Sequence, residues 1–220
     1  MKSLLILILI ISAGLTWAKD GDGLSFEEVL SNSDQSISLD IKIVISKVNY
    51  HGSNEKGYVE GTLNIFDQKC DIIRGQNYFL ISELASIGSP TLQYLIQAKC
   101  ENGTVFRFTA MKVIKAGDEE SALEDTTILN GELEEMNSLE ILSLEKWQKL
   151  LVSKYNEDQF NTRLTFPLED WRPYLRSYKV FDSNGNQVRW GRKVLTIRRF
   201  FRNFSAGILK AYINFLVNRG

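Results

Sequence analysis

Between Ser36 and Val48 the chain alternates. Ile37, Leu39, Ile41, Ile43 and Ile45 share one side, and Ser38, Asp40, Lys42 and Ser46 the other. A period of two is a β-strand with one face buried, because successive side chains point to opposite faces. A strand of that kind needs partners, so the run commits this part of the chain to a sheet.

Further runs supply the partners. Residues 57–66 are strand-like, with Val59, Leu63 and Ile65 on one side, and Arg74-Gly75-Gln76 breaks the chain before an apolar run at 78–81. Residues 91–99 and 104–115 are β-rich and joined by Glu101-Asn102-Gly103. Asn-Gly between such runs is a hairpin signal, since both residues tolerate positive φ. A short strand is expected at 126–129, and a second hairpin from 177–182 and 187–190 around Ser183-Asn184-Gly185-Asn186.

The period then lengthens. Ser143 can cap a helix with Glu145 in its first turn, and Leu144, Trp147, Leu151 and Tyr155 follow at helical spacing. Near the C-terminus Val194, Ile197, Phe201, Phe204, Ile208, Tyr212 and Phe215 form one apolar stripe. Arg199, Asn203, Lys210 and Asn214 lie opposite, with Arg198 and Arg202 at the boundary. The expected fold class is α+β: a mainly antiparallel β body, sandwich or barrel-like, with a C-terminal amphipathic helical part at about 143–156 and 191–217.

Residues 1–18 read as a secretory signal peptide. Lys2 is the positive region, residues 4–11 are an unbroken apolar run, and Thr16 and Ala18 are small residues ahead of a cut before Lys19. The apolar run is too short to cross a hydrocarbon core of about 30 Å as a helix, although an uncleaved anchor is the alternative. No Cys follows it, which argues against a lipoprotein anchor. The expected product is one exported domain, 19–220, periplasmic or secreted. Cys70 and Cys100 are the only cysteines. In an oxidising compartment such a pair reads as a disulfide, with two free thiols as the alternative.

The formal net charge is −1, and no nucleic-acid partner is expected. The charge is unevenly spread. From 118 to 145 every charged residue is acidic, whereas from 171 onward Asp182 is the single acid among many Arg and Lys. Such asymmetry marks an interaction surface or two segments that neutralise each other.

Catalytic signatures are missing. Gly21-Asp22-Gly23 has no third glycine at Phe26, and no P-loop, HExxH or nucleophile elbow occurs. No flavin, nicotinamide or metal is expected. His51 is the only histidine and sits in a polar loop without ligand spacing. Asp118-Glu119-Glu120 with Glu124-Asp125 offers carboxylates for Ca²⁺ but lacks a known loop spacing. Asn102-Gly103-Thr104 and Asn203-Phe204-Ser205 fit the N-glycosylation pattern, which has meaning in a eukaryotic secretory route.

The order of several segments is similar to a known family. They are Gly23-Leu24-Ser25-Phe26-Glu27-Glu28, Gly57-Tyr58-Val59-Glu60-Gly61, Arg74-Gly75-Gln76-Asn77-Tyr78-Phe79-Leu80, Ala110-Met111-Lys112-Val113-Ile114-Lys115, Glu124-Asp125-Thr126-Thr127-Ile128-Leu129, Ile141-Leu142-Ser143 and Arg198-Arg199-Phe200-Phe201. Together they resemble the non-flavin accessory region attached to cholesterol-oxidase-like GMC oxidoreductases. The family usually shows Gly-Phe-Lys where this chain has Ala110-Met111-Lys112. The resemblance implies an association with lipid or sterol metabolism and supplies no catalytic residue.

The function expected from these readings is an exported, non-enzymatic accessory or binding module. Its partner would be a lipid or sterol, an anionic membrane surface, or a lipid-acting enzyme. Arg198, Arg199 and Arg202 are the expected contacts with an anionic surface. The rivals are a small hydrolase or isomerase using His51 and the acids of 118–125, and a structural envelope protein.

Overall fold

A computed structural model describes residues 22–48, 55–84, 87, 89–114, 125–156, 159–166, 174 and 176–202, with the side chains of 55, 84, 201 and 202 outside that description. The signal peptide, His51, the acids at 118–124, the side chain of Arg202, Asn203 and the helix beyond it lie outside the described residues. Those expectations have no structural counterpart here.

Ten antiparallel strands form a single sheet: β1 Gly23–Ser31, β2 Ile37–Ile45, β3 Glu55–Ile65, β4 Gln68–Ile72, β5 Tyr78–Leu84, β6 Ser89–Cys100, β7 Val105–Val113, β8 Ile128–Met136, β9 Thr162–Thr165 and β10 Lys179–Phe181. β9 returns to β1 through Ser31 and Thr165, so the sheet closes into an eight-stranded barrel. β4 and β5 share one position in the ring, since both pair with β3 and with β6. β10 continues the edge of β1 at Gly23–Ser25. Between those two short pairings, Ser177 stands in for a strand: its Oγ accepts the Glu27 amide at 2.9 Å.

Alternation sets what fills the barrel. Leu24, Phe26 and Leu30 of β1 point inward with Leu39, Ile41, Ile43 and Ile45 of β2, all at most 1% exposed. Tyr94, Ile96 and Ala98 of β6 meet them with Phe108 and Ala110 of β7. Gly131 makes this packing possible, because a Cβ there would clash with the Ala110 side chain and come within 2.9 Å of the Phe108 ring. Gly61 has a φ of 135°, and a side chain there would strike the Asp40 carbonyl.

Among the described residues, one helix packs on the outside of the barrel and a second adds side chains to its interior cluster. α1, Leu144–Asn156, is capped by Ser143, whose Oγ accepts the Lys146 amide at 3.4 Å. Its buried Trp147 and Leu151 pack on Leu80, Leu95 and Met111, the outward residues of β5, β6 and β7. Burying each such side chain stabilises by about 1.5–3 kcal/mol. α2, Trp190–Arg202, buries Thr196, Ile197 and Phe200. Its Arg192 makes a two-pronged contact with buried Asp22, one arm being Nε to Oδ2 at 2.6 Å, and Thr196 Oγ1 donates to the same carboxylate at 3.3 Å.

Several expectations change in detail. The strand expected at 126–129 begins at Ile128, after a helical turn at 125–127, and runs on to Met136. It absorbs acidic residues because Leu129, Gly131 and Leu133 face the core while Glu132 and Glu134 face out. The second hairpin shrinks to β10 and one bridge, Phe181 to Gln187, because Trp190 already opens α2. On α2, Ile197 of the expected stripe is buried and Val194 half-buried, and Phe200, which the stripe did not include, is also fully buried.

Candidate functional site

Three places gather the residues that could carry function: the barrel interior, the cationic side of α2, and a depression in the barrel wall.

Inside the barrel, Glu28 of β1 meets Lys112 of β7 with Oε1 to Nζ at 2.7 Å. Its other oxygen accepts the Tyr94 hydroxyl at 2.8 Å, and the Lys112 ammonium lies 5.5 Å from the Tyr94 ring centre. Glu28 is 2% exposed and Lys112 1%. Nearby, Tyr178 stacks on Phe26 at 4.8 Å and donates to the Tyr174 hydroxyl at 2.7 Å. Burial, then the charge of Glu28, pushes the Tyr94 phenol well above its ordinary range. Burial does the same to Tyr174 and Tyr178. These hydroxyls therefore stay protonated donors at neutral pH. A reaction site needs such groups to converge on space a substrate can enter. Here the space is occupied by Phe26, Phe79, Phe108 and Phe200, each at most 1% exposed.

Of the residues expected to contact an anionic surface, Arg198 and Arg199 lie on the described part of α2. Arg198 is exposed and Arg199 half-buried. Trp190, 56% exposed, opens the same helix beside exposed Arg189. Lys193 is half-buried, and burial with the neighbouring Lys179 pulls its ammonium below the ordinary lysine value. The uneven charge along the sequence is resolved locally. Acids of the 118–145 run pair with Arg107, which meets Glu134 at 2.6 Å and Glu140 at 3.0 Å, and with Lys154 of α1. In the basic segment, Arg192 takes Asp22 and Lys179 approaches Glu27 at 3.9 Å. Among the described residues, the ion pairs of the two segments go to separate partners.

The cysteines come together as expected. Cys70 and Cys100 are direct register partners on β4 and β6 and form a disulfide. Their Cα atoms are 3.7 Å apart, closer than the roughly 4.4–6.8 Å usual for such bonds. Asn102 lies in the exposed turn just beyond, where its Nδ2 donates to Gln68 Oε1 at 3.0 Å.

The depression lies where β4 gives way to β5. β3 pairs with β4 through Thr62–Ile65 and with β5 through Glu55–Gly57, which leaves residues 58–61 without a strand on that side. Asn77, 3% exposed, closes the floor: its Oδ1 accepts the Val59 amide at 2.6 Å and its Nδ2 donates to the Ile73 carbonyl at 2.8 Å. Above that floor is an open space of about 680 Å³ edged by Lys47, Lys56, Tyr58, Glu60, Arg74 and Tyr78. Its walls come from 46–47, 56–60 and 74–78.

The sequence reading missed both the interior pair and the depression. Glu28 shares strand parity with Leu24, Phe26 and Leu30, and Lys112 shares it with Phe108, Ala110 and Ile114. A charge on the apolar parity of each of two strands, opposite in sign, was the available signal. Among the described residues, no helix is long and apolar enough to cross a membrane, and no cluster of three or more metal-ligating side chains occurs. Family models, curated proteins and solved structures give no match to the chain.

Proposed function

We propose that this protein is an exported, non-catalytic accessory module of lipid or sterol metabolism that works by contact of its outer surface with anionic lipid. The observation that carries the reading is the filled barrel. Eight-stranded barrels either pack their interior with side chains or hold one small ligand there. This one packs it, with an ion pair and a cluster of rings, so a lipid partner is met from outside. α2 supplies a suitable surface: Arg198 is exposed, Arg199 lies beside it, and Trp190 is the type of residue that settles at a lipid headgroup boundary. Its apolar side, Ile197 and Phe200, is committed to the barrel, so the attraction is electrostatic and salt-sensitive. The disulfide is compatible with an exported protein. The lipid association is what the family resemblance implies.

The test is co-sedimentation with anionic vesicles at low and high salt. Wild type is expected to bind weakly at low salt and to release at high salt. Changing Arg198, Arg199 and Arg202 together to Gln is expected to reduce binding while circular dichroism shows an intact fold. Equal binding by both proteins, or none by wild type at low salt, would remove the membrane reading and leave a protein partner.

A further inference from the structure

The depression at the β4–β5 junction lies on β2, β3 and β5, away from α2, and goes beyond the surface reading above. Lys47 follows β2, Lys56 sits on β3, and Arg74 sits in the turn before β5, so three separate segments bring cations to one opening. Among the described residues, Glu60 is the one acid on its rim, and it faces Arg74 at 4.0 Å. Among the described residues, neither Lys47 nor Lys56 has a carboxylate partner. Lys56 instead holds its ammonium 5.1 Å from the centre of the Tyr78 ring. In a chain of net charge −1, this is a local excess of positive charge. Beside it stands Tyr58, 44% exposed on a strand whose neighbour Val59 is buried. A planar carboxylate is satisfied by the fork of a single Arg, whereas a phosphate accepts donors from several directions. The tyrosine rings add flat apolar surface for whatever carries the anion. A space of about 680 Å³ suits a small organic ligand.

We propose that this depression binds a phosphate ester carried on a ring or other flat apolar body, with Lys47, Lys56 and Arg74 on the phosphate and Tyr58 and Tyr78 against the body. The phosphate can come from a soluble ester or from a lipid headgroup, and the experiment separates the two. Isothermal titration and NMR of the whole exported protein would use phenyl phosphate and inorganic phosphate. Vesicles of phosphatidylcholine containing phosphatidic acid form the lipid arm. Phenyl phosphate is expected to bind more tightly than inorganic phosphate and to shift the ring signals of Tyr58 and Tyr78. The double change Lys56→Gln and Arg74→Gln, on two exposed side chains, is expected to weaken binding by about tenfold or more, the effect of losing a charge-assisted contact. Tyr58→Ala is expected to abolish the preference for phenyl over inorganic phosphate. Changing Arg198 and Arg199 to Gln is expected to leave the soluble titrations unchanged, which keeps this site distinguishable from the α2 surface. Binding seen only with vesicles, and lost in the Lys56 and Arg74 variant, would assign the phosphate to a lipid headgroup. The proposal is overturned if none of the three probes binds, or if the Lys56 and Arg74 variant binds as wild type does.

Discussion

Glu28 and Lys112 meet at 2.7 Å inside the barrel, with side chains 2% and 1% exposed. Lys154 and Glu132 meet at 2.6 Å beneath α1, with side chains 16% and 12% exposed and a second carboxylate, Glu134, at 3.2 Å. The residue types and distances are nearly the same, and the surroundings decide what each contact is worth. Inside, both charges have lost water, and the attraction mainly offsets that loss. The pair stabilises little by itself, but losing one member leaves a buried charge with no partner. Outside, water and several partners share the work. Arg107 and Lys154 can each turn to more than one carboxylate, so removing one leaves the others paired.

The largest effect separating the two clusters is expected from Lys112→Met, which should cost about 3–5 kcal/mol in urea unfolding. Lys112→Met combined with Glu28→Leu should cost less than the single change, because no orphan charge remains. A single variant as stable as wild type would break the contrast outright. Removing the disulfide by Cys70→Ala and Cys100→Ala should cost about 3–4 kcal/mol through the entropy of a loop whose ends are 30 residues apart. That loss acts mainly on the unfolded chain.

Acid sharpens the contrast on the outer side. Burial raises the Glu134 carboxyl, but hydrogen bonds and charge from Arg107, and then Lys154, outweigh it and hold the group below its ordinary value of 4.5. A lowered folded value means the group stabilises the fold above the ordinary range and loses that contribution as pH falls through the lowered value. Stability should therefore decline on acidification below about pH 4.5. Glu134→Gln should flatten part of that decline and cost about 1 kcal/mol at neutral pH. A pH profile identical to wild type would show that Arg107 and Lys154 rely on the other acids. The smallest effect is expected at Lys149, whose fully exposed pair with Glu145 at 2.8 Å should not shift the urea midpoint when replaced by Ala.

What could be read from the sequence was local. β2 spans Ile37–Ile45, within the alternating run read at 36–48, and the Asn102-Gly103 turn joins β6 to β7. Ser143 caps α1, and Trp147 and Leu151 are its buried face. β1 went unread because Glu27-Glu28 interrupts its alternation, and Glu28 proved to be an inward residue with a partner 84 positions away. β4 is five residues long, and its strand character depends on Cys70 and Ile72 facing the core between β3 and β6. Barrel closure rests on Ser31 meeting Thr165, a pairing that no local pattern announces. The wall depression depends on the registers of β3 against both β4 and β5, so it exists only once four strands are in place.

A closed barrel interior and the proposed binding by the outer surface make opposite demands on the inner strands and on α2. Hydrogen exchange of the whole protein, read by mass spectrometry with and without anionic vesicles, tests both directly. Buried strand amides should exchange slowly in both conditions, and added protection should be confined to the outer elements, α2 above all. Vesicle-dependent changes concentrated in β1 and β7 around Glu28 and Lys112, with α2 unaffected, would mean that lipid enters the barrel and would contradict the account.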